Sequence, residues 1–133
     1  MNPKDPLAGR FAAAHAKLRS VCVTGTNGKT TTTSLVDAIA RAHGEPGARL
    51  TTLGAQVGDR TIEGDKPAQV FLGCVEEAVR VGCETLALET TSKALAGGLA
   101  GRWRPTVAVF TNLTRDHLDM HGTPEAYLAA KAQ

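Results

Sequence analysis

Aromatic residues are scarce in this chain: Phe, Trp and Tyr together make up 4% of its 133 residues. Hydrophobic residues nevertheless reach 42%, so a core is expected, and it must be aliphatic, built from Val, Leu, Ile and Ala. Charge of one sign is also missing. The formal net charge is +2, with no basic run or stripe, which removes the electrostatic footprint of a nucleic-acid binder. Arg102 and Arg104 flank Trp103 just before Pro105 and read as a solvated turn. Cysteine is limited to Cys22, Cys74 and Cys83. An odd number without C-x-x-C spacing argues against a disulfide framework or a zinc site and for reduced, apolar thiols in a cytoplasmic protein. No apolar run approaches the ~20 residues that a membrane span needs. Met1 to Arg10 lacks the apolar segment of a signal peptide. The expectation is one domain with neither nucleic acid nor membrane as partner; the oligomeric state is left open.

What is present begins at the β-branched stretch Val21-Cys22-Val23. It runs into Thr24-Gly25-Thr26-Asn27-Gly28-Lys29-Thr30-Thr31-Thr32-Thr33 and then a helical pattern. Strand, glycine turn, Gly-Lys-Thr and helix, in that order, are what a phosphate-binding loop requires. Glycines let backbone N–H groups approach phosphate oxygens, and the helix directs its positive N-terminus at them. Lys29 can reach the terminal phosphates and the Thr30 hydroxyl can ligate magnesium, so ATP and Mg2+ are the expected ligands. The spacing departs from the strict Gly-x-x-x-x-Gly-Lys-Ser/Thr loop, since Val23 stands where the first glycine would be. The strand–loop–helix order outweighs that departure. Leu35, Val36, Ile39 and Ala42 supply an apolar face for the helix, with Gly44 as its stop.

Along the rest of the chain, residues 1–20 read as an arm with a short helix over Phe11 to Arg19. Residues 21–133 read as one nucleotide-binding domain. Arg49 to Leu53 is a strand candidate, and Gln56 to Ile62 a hairpin turning at Gly58-Asp59. Pro67 opens a helix reaching Val81. Thr85 to Leu88 is a buried strand ending at Glu89, Ser92 to Leu99 a short helix, and Thr106 to Thr111 a further strand. Thr123-Pro124 opens a last helix with threonine as N-cap. Strands alternating with helices indicate an α/β fold with a mostly parallel sheet covered on both faces. Gln133 falls inside the last helical pattern, which reads as truncation of a longer protein.

Ligands of such sheets bind beyond the carboxyl ends of the strands. Three strands here end in chemistry: the phosphate loop, Glu89-Thr90-Thr91-Ser92, and Thr111-Asn112-Leu113-Thr114-Arg115-Asp116-His117-Leu118-Asp119. A carboxylate, an imidazole and the loop hydroxyl meeting at one edge would suit magnesium, which completes its octahedron with water and phosphate oxygens.

These segments resemble the central ATP-binding domain of the Mur ligases. The carriers are Thr24 to Thr31, Leu88-Glu89-Thr90-Thr91-Ser92-Lys93-Ala94-Leu95, and Phe110 to Asp119 with His121-Gly122. Within the family they are most similar to the UDP-N-acetylmuramoyl-tripeptide synthetase branch. The resemblance runs from Val21 to Gln133 and implies a P-loop NTPase-like fold. It also implies an ATP-dependent amide ligase acting through an acyl phosphate in peptidoglycan precursor synthesis. The partners would be ATP, a carboxylate acceptor such as a UDP-N-acetylmuramoyl-peptide, and an amino acid. By the same resemblance Gly25, Thr26, Asn27, Gly28, Lys29, Thr30, Thr31 and Asn112 bind the nucleotide. Thr30 and Glu89 hold one magnesium. Glu89, His117 and Lys131, the last carbamylated by carbon dioxide, support a second. Lys29, Glu89, His117 and Lys131 are thereby implied as catalytic. Without the resemblance Lys131 would be an exposed helical lysine, in a last turn expected to fray.

The acceptor side departs from the branch pattern. Asp65-Lys66-Pro67 stands for Thr-Thr-Pro, Thr91-Ser92-Lys93 for Ser-Ser-His, and Leu99 for an arginine. Two alternatives therefore stay open: a non-catalytic nucleotide-binding Mur-like module, and a ligase of the folylpolyglutamate or cyanophycin synthetase type.

Overall fold

The computed structural model describes residues 8–114 and 121–133. Six strands form one sheet: β1 Arg19–Thr24, β2 Ala48–Thr51, β3 Gly54–Val57, β4 Arg60–Ile62, β5 Thr85–Glu89 and β6 Val107–Phe110, in the order β4-β3-β2-β5-β1-β6. β2, β5, β1 and β6 run parallel, and β3 and β4 add an antiparallel edge. Among the described residues the helices are α1 Ala8–His15, α2 Lys29–Ala42, α3 Pro67–Arg80, α4 Ser92–Ala96, α5 Leu99–Arg102 and α6 Pro124–Lys131. The α/β reading holds. Gly98 takes a left-handed φ of 85° and ends what the sequence suggested as one helix from Ser92, so α4 and α5 are separate turns.

Strand side chains alternate between faces. In β5, Leu86 and Leu88 enter the main core with Phe71 and Leu72 of α3, while Ala87 and Glu89 face α2. In β1, Ser20 and Cys22 turn to the core side, and Val21 and Val23 to the α2 side.

Two sequence-based expectations are corrected. The core is not purely aliphatic. Phe11 of α1, Phe71 of α3 and Trp103 form an aromatic line, with ring centroids 5.4 Å apart for Phe11–Phe71 and 5.3 Å for Phe71–Trp103. Trp103 is 1% exposed and its Nε1–H donates to Ser20 Oγ at 2.9 Å, so it anchors the core and does not sit in a solvated turn. Few aromatics are present, but they stand where helices cross the sheet and each covers a large area.

The second correction concerns α2. Leu35 and Ile39, expected to face the core, are 58% and 69% exposed, whereas Thr33, Asp37 and Ala40 are buried against the sheet. The rotation of α2 is set at its first turn. Thr30 bonds Glu89 on β5, and residues 33, 37 and 40 follow Thr30 on the same helical face. Asp37 is tolerated there because Arg41 Nε donates to its Oδ2 at 3.0 Å and Arg49 approaches at 3.6 Å.

Candidate nucleotide site

The site is built where β1 stops. Gly25 has φ 144° in close quarters: a Cβ there would collide with Thr111 Oγ1 and crowd the Asn112 carbonyl at 3.0 Å. Only glycine fits. Gly28 has φ 83° and is the N-cap of α2 without a side-chain cap. A Cβ on Gly28 would meet no atom within 4 Å, so the space in front of the helix is open. The first-turn amides of α2 point into it, the arrangement that binds phosphate.

Residues after β6 hold the loop from behind. Thr26 N–H donates to the Asn112 carbonyl at 2.9 Å. The Asn112 side chain accepts from Asn27 N–H at 2.9 Å and donates to the Asn27 carbonyl at 3.0 Å. Thr111 Oγ1–H adds a bond to the same carbonyl at 2.7 Å. Thr26 Oγ1 lies 3.2 Å from the Tyr127 hydroxyl and accepts from Thr114 N–H at 3.0 Å. Lys29 folds across the loop, its Nζ donating to the Thr26 carbonyl at 2.9 Å. Thr31 is exposed in the first turn of α2.

Thr30 and Glu89 are brought together: the Thr30 hydroxyl donates to Glu89 Oε2 at 2.8 Å. Glu89 is 8% exposed. It also accepts from Thr52 N–H at 2.9 Å and from the Thr52 hydroxyl. No cation pairs with it among the described residues. Buried charges are ordinarily paired or ligate metal. A hard-oxygen carboxylate and a hydroxyl beside a phosphate-binding helix end fit magnesium. Among the described residues no cluster of three or more His, Cys, Asp or Glu offers a different metal site.

Lys131 is not an exposed helical lysine. It is 6% exposed, and its Nζ donates to the Gly25 carbonyl at 2.9 Å and to Thr24 Oγ1 at 3.3 Å. The Tyr127 ring lies below it, 4.8 Å from Nζ to the centroid. The end of α6 is thus tied to the phosphate loop instead of fraying. Thr24 lies on the Cys22 face of β1 and Glu89 on the α2 face of β5, so Lys131 grips the opposite flank of the loop from Glu89. These contacts suit an ammonium group, and a carbamate would have to leave the Gly25 carbonyl. His117 lies outside the described residues.

The order of strands, loop and helix agrees with what comparison with known proteins finds. The Mur ligase middle domain matches residues 23–133. The chain belongs to the Mur ligase family. The UDP-N-acetylmuramoyl-L-alanyl-D-glutamate--2,6-diaminopimelate ligase of Geobacillus kaustophilus is 44% identical over 118 residues, covering 86% of this chain and 24% of that protein. The enzyme of the same name from Synechococcus elongatus is 43% identical over 137 residues, covering 95% and 27%. A solved structure of a ligase with that name superposes with a TM-score of 0.74 at 33% identity, covering 86% of this chain and 24% of that one. The chain therefore spans about a quarter of the length of the relatives it matches. Among the described residues of this Mur family member, no helix is long and apolar enough to cross a membrane.

Sequence reasoning missed Thr52 and Tyr127 as parts of this site, and quoted Thr111 in a strand-end segment without giving it a role. Thr52 follows the end of β2, so the strand-end rule that picked out the Thr111 segment could have found it too. Nothing local marks Tyr127, which reaches Thr26 across 101 residues of chain.

Proposed function

We propose that this chain carries the ATP site of an ATP-dependent amide ligase. The observation that carries the reading is the buried Glu89, which no cation pairs among the described residues, bonded to Thr30 at the open N-terminus of α2. In the proposed reaction a carboxylate oxygen of the acceptor attacks the γ-phosphorus of ATP and ADP leaves. The amine of an amino acid then attacks the acyl carbon, loses a proton and displaces inorganic phosphate. The relatives' names specify UDP-N-acetylmuramoyl-L-alanyl-D-glutamate as acceptor and 2,6-diaminopimelate as amino acid. An acceptor of that class would place this chain in cytoplasmic peptidoglycan precursor synthesis.

The chain's own residues have defined tasks in that reaction. Loop amides from Gly25 to Thr31 hold the phosphates, and Lys29 neutralises charge on the transferring group, a positioning and electrostatic role. Asn112 keeps the loop open through Asn27. Thr30 and Glu89 would hold magnesium, with Glu89, His117 and a carbamylated Lys131 supporting a second ion. Magnesium, when bound, offsets phosphate charge and aligns the γ-phosphoryl group.

Calorimetric titration with magnesium–ATP tests the nucleotide half: Lys29→Ala abolishes binding and leaves the fold intact, and equal binding by the two proteins refutes it. Carbon-13 NMR with labelled bicarbonate tests Lys131. The expected carbamate signal appears only with ATP and magnesium present, because the ligand-free contacts of Nζ suit the ammonium form. A signal without ligands refutes that argument, and none with ligands refutes the modification.

A further inference from the structure

The turn between β2 and β3 reaches the phosphate-loop edge of the sheet. Thr51 closes β2, Gly54 opens β3, and the two pair across the hairpin, so Thr52 and Leu53 are the whole turn. Thr51 Oγ1 holds it in shape, accepting from Leu53 N–H at 3.2 Å and donating to the Gly54 carbonyl at 3.4 Å. β2 also pairs with β5, Leu50 opposite Leu88, which sets the turn beside Glu89. The two oxygens of Glu89 are held unequally there. Oε2 accepts from the Thr30 hydroxyl at 2.8 Å and from Thr52 N–H at 2.9 Å. Among the described residues, Oε1 has only the Thr52 hydroxyl, at 3.4 Å and shared with Oε2 at 3.3 Å.

A carboxylate oxygen has about two acceptor sites. Two short donors take up those of Oε2, and one of them is a backbone amide fixed by the hairpin. Oε1 is left for a cation. Thr30 can give a lone pair to the same ion while its hydrogen stays on Oε2, since a hydroxyl both donates and accepts. Glu89 is thereby set to meet a metal through one oxygen. That suits magnesium, a small ion that demands a near-ideal octahedron at about 2.0–2.1 Å. Calcium takes roughly six to eight oxygens at about 2.3–2.6 Å and readily binds both oxygens of one carboxylate. To bind calcium in that way Glu89 would have to leave the Thr52 amide. We infer that Thr52, through its backbone N–H, is a positioning residue that makes the nucleotide site select magnesium over calcium. The inference rests on the reading of Glu89 as a metal ligand and adds what fixes its orientation.

The test compares calorimetric binding of ATP in magnesium and in calcium for the native chain, Thr52→Val and Thr52→Pro. Valine keeps the N–H and loses the hydroxyl, whereas proline loses both. The native chain should bind magnesium–ATP more tightly than calcium–ATP. Thr52→Val should keep that preference within about threefold, because the hydroxyl contacts are long. Thr52→Pro should lower it about tenfold, the size of one hydrogen bond to a charged group. Thr52 is exposed, and a merely structural effect of either change would weaken both complexes alike and leave the preference where it was. Nitrogen-15 NMR of the native chain serves even if Thr52→Pro does not fold: the Thr52 amide proton should stay downfield with magnesium–ATP bound and move upfield with calcium–ATP. A native chain without preference overturns the inference, as does a Thr52→Pro chain that keeps it, a Thr52→Val chain that loses as much, or an amide signal alike in the two complexes. A Glu89→Gln chain that binds magnesium–ATP as the native chain does refutes the metal reading and the inference with it. Absence of ATP binding with either ion is the separate failure of the nucleotide reading.

Discussion

Replacing Asn112 by alanine isolates the contribution of loop preorganisation to nucleotide binding. The substitution removes two hydrogen bonds to Asn27, at 2.9 Å from its N–H and 3.0 Å to its carbonyl, and both are solvent-accessible. Net hydrogen-bond contributions run from about 0.5 to 1.5 kcal/mol each, and exposure puts these in the lower half, so the pair contributes about 1–2 kcal/mol. Thr26 N–H to the Asn112 carbonyl and Thr111 Oγ1 to the Asn27 carbonyl survive the change. The loop should therefore lose order without losing its place. If the lost order falls on the ligand-competent state, magnesium–ATP affinity drops about 5–30-fold, at about 1.4 kcal/mol per factor of ten. Global stability, read by urea denaturation, should fall by no more than the about 1–2 kcal/mol of the lost pair. Asn112→Asp keeps the acceptor, loses the donor and adds a negative charge near the phosphates, so it should bind more weakly still. Calorimetric titration of the three proteins decides the matter. Native-like affinity in Asn112→Ala would show that Asn27 is held by the remaining bonds alone and would refute the clamp.

Two further outcomes concern the scaffold. Trp103→Phe deletes the Nε1–H that satisfies Ser20 Oγ, both buried; a loss of about 2–4 kcal/mol in urea denaturation is expected from the orphaned hydroxyl and the vacated volume, and a loss below about 0.5 kcal/mol would deny the anchor role. Hydrogen bonding from Arg80, then from Arg60, holds the Glu77 carboxyl at about 2. A depressed carboxylate stabilises the fold above its unfolded value of about 4.3 and ceases to do so as pH falls through about 2. The stability difference between the native chain and Glu77→Gln should be greatest above about pH 4.3 and shrink toward pH 2, and a pH-independent difference would contradict the pairing.

Local chemistry decided most of the phosphate loop, because Gly28 takes a left-handed φ that favours glycine and the following Lys-Thr run opens a helix; that Gly25 admits no side chain is set by Thr111 and Asn112 from the far end of the chain. Turn and cap residues likewise decided α3 and α6, where Pro67 and Thr123-Pro124 begin helices as their backbone preferences require. The alternation of strand and helix sufficed for the parallel sheet. Burial was not decided locally. The apolar stripe of α2 that periodicity assigns to the core faces solvent, because the Thr30–Glu89 contact between residues 59 apart sets the helix rotation. Trp103 looked like part of a polar turn until Ser20, 83 residues away, supplied its partner. Glu89 was visible as a strand-end carboxylate, but that no cation pairs with it among the described residues, which makes it fit a metal ion, emerges only from the folded chain. Lys131 reads as an ordinary helical lysine by composition. Its burial against Tyr127 and the Gly25 carbonyl follows from α6 docking beneath the loop. Short-range backbone preferences act within a few residues and are legible in order along the chain. Rotation of a helix, pairing of buried polar atoms and the charge balance of a cavity depend on contacts between distant segments, and only the folded chain brings those together.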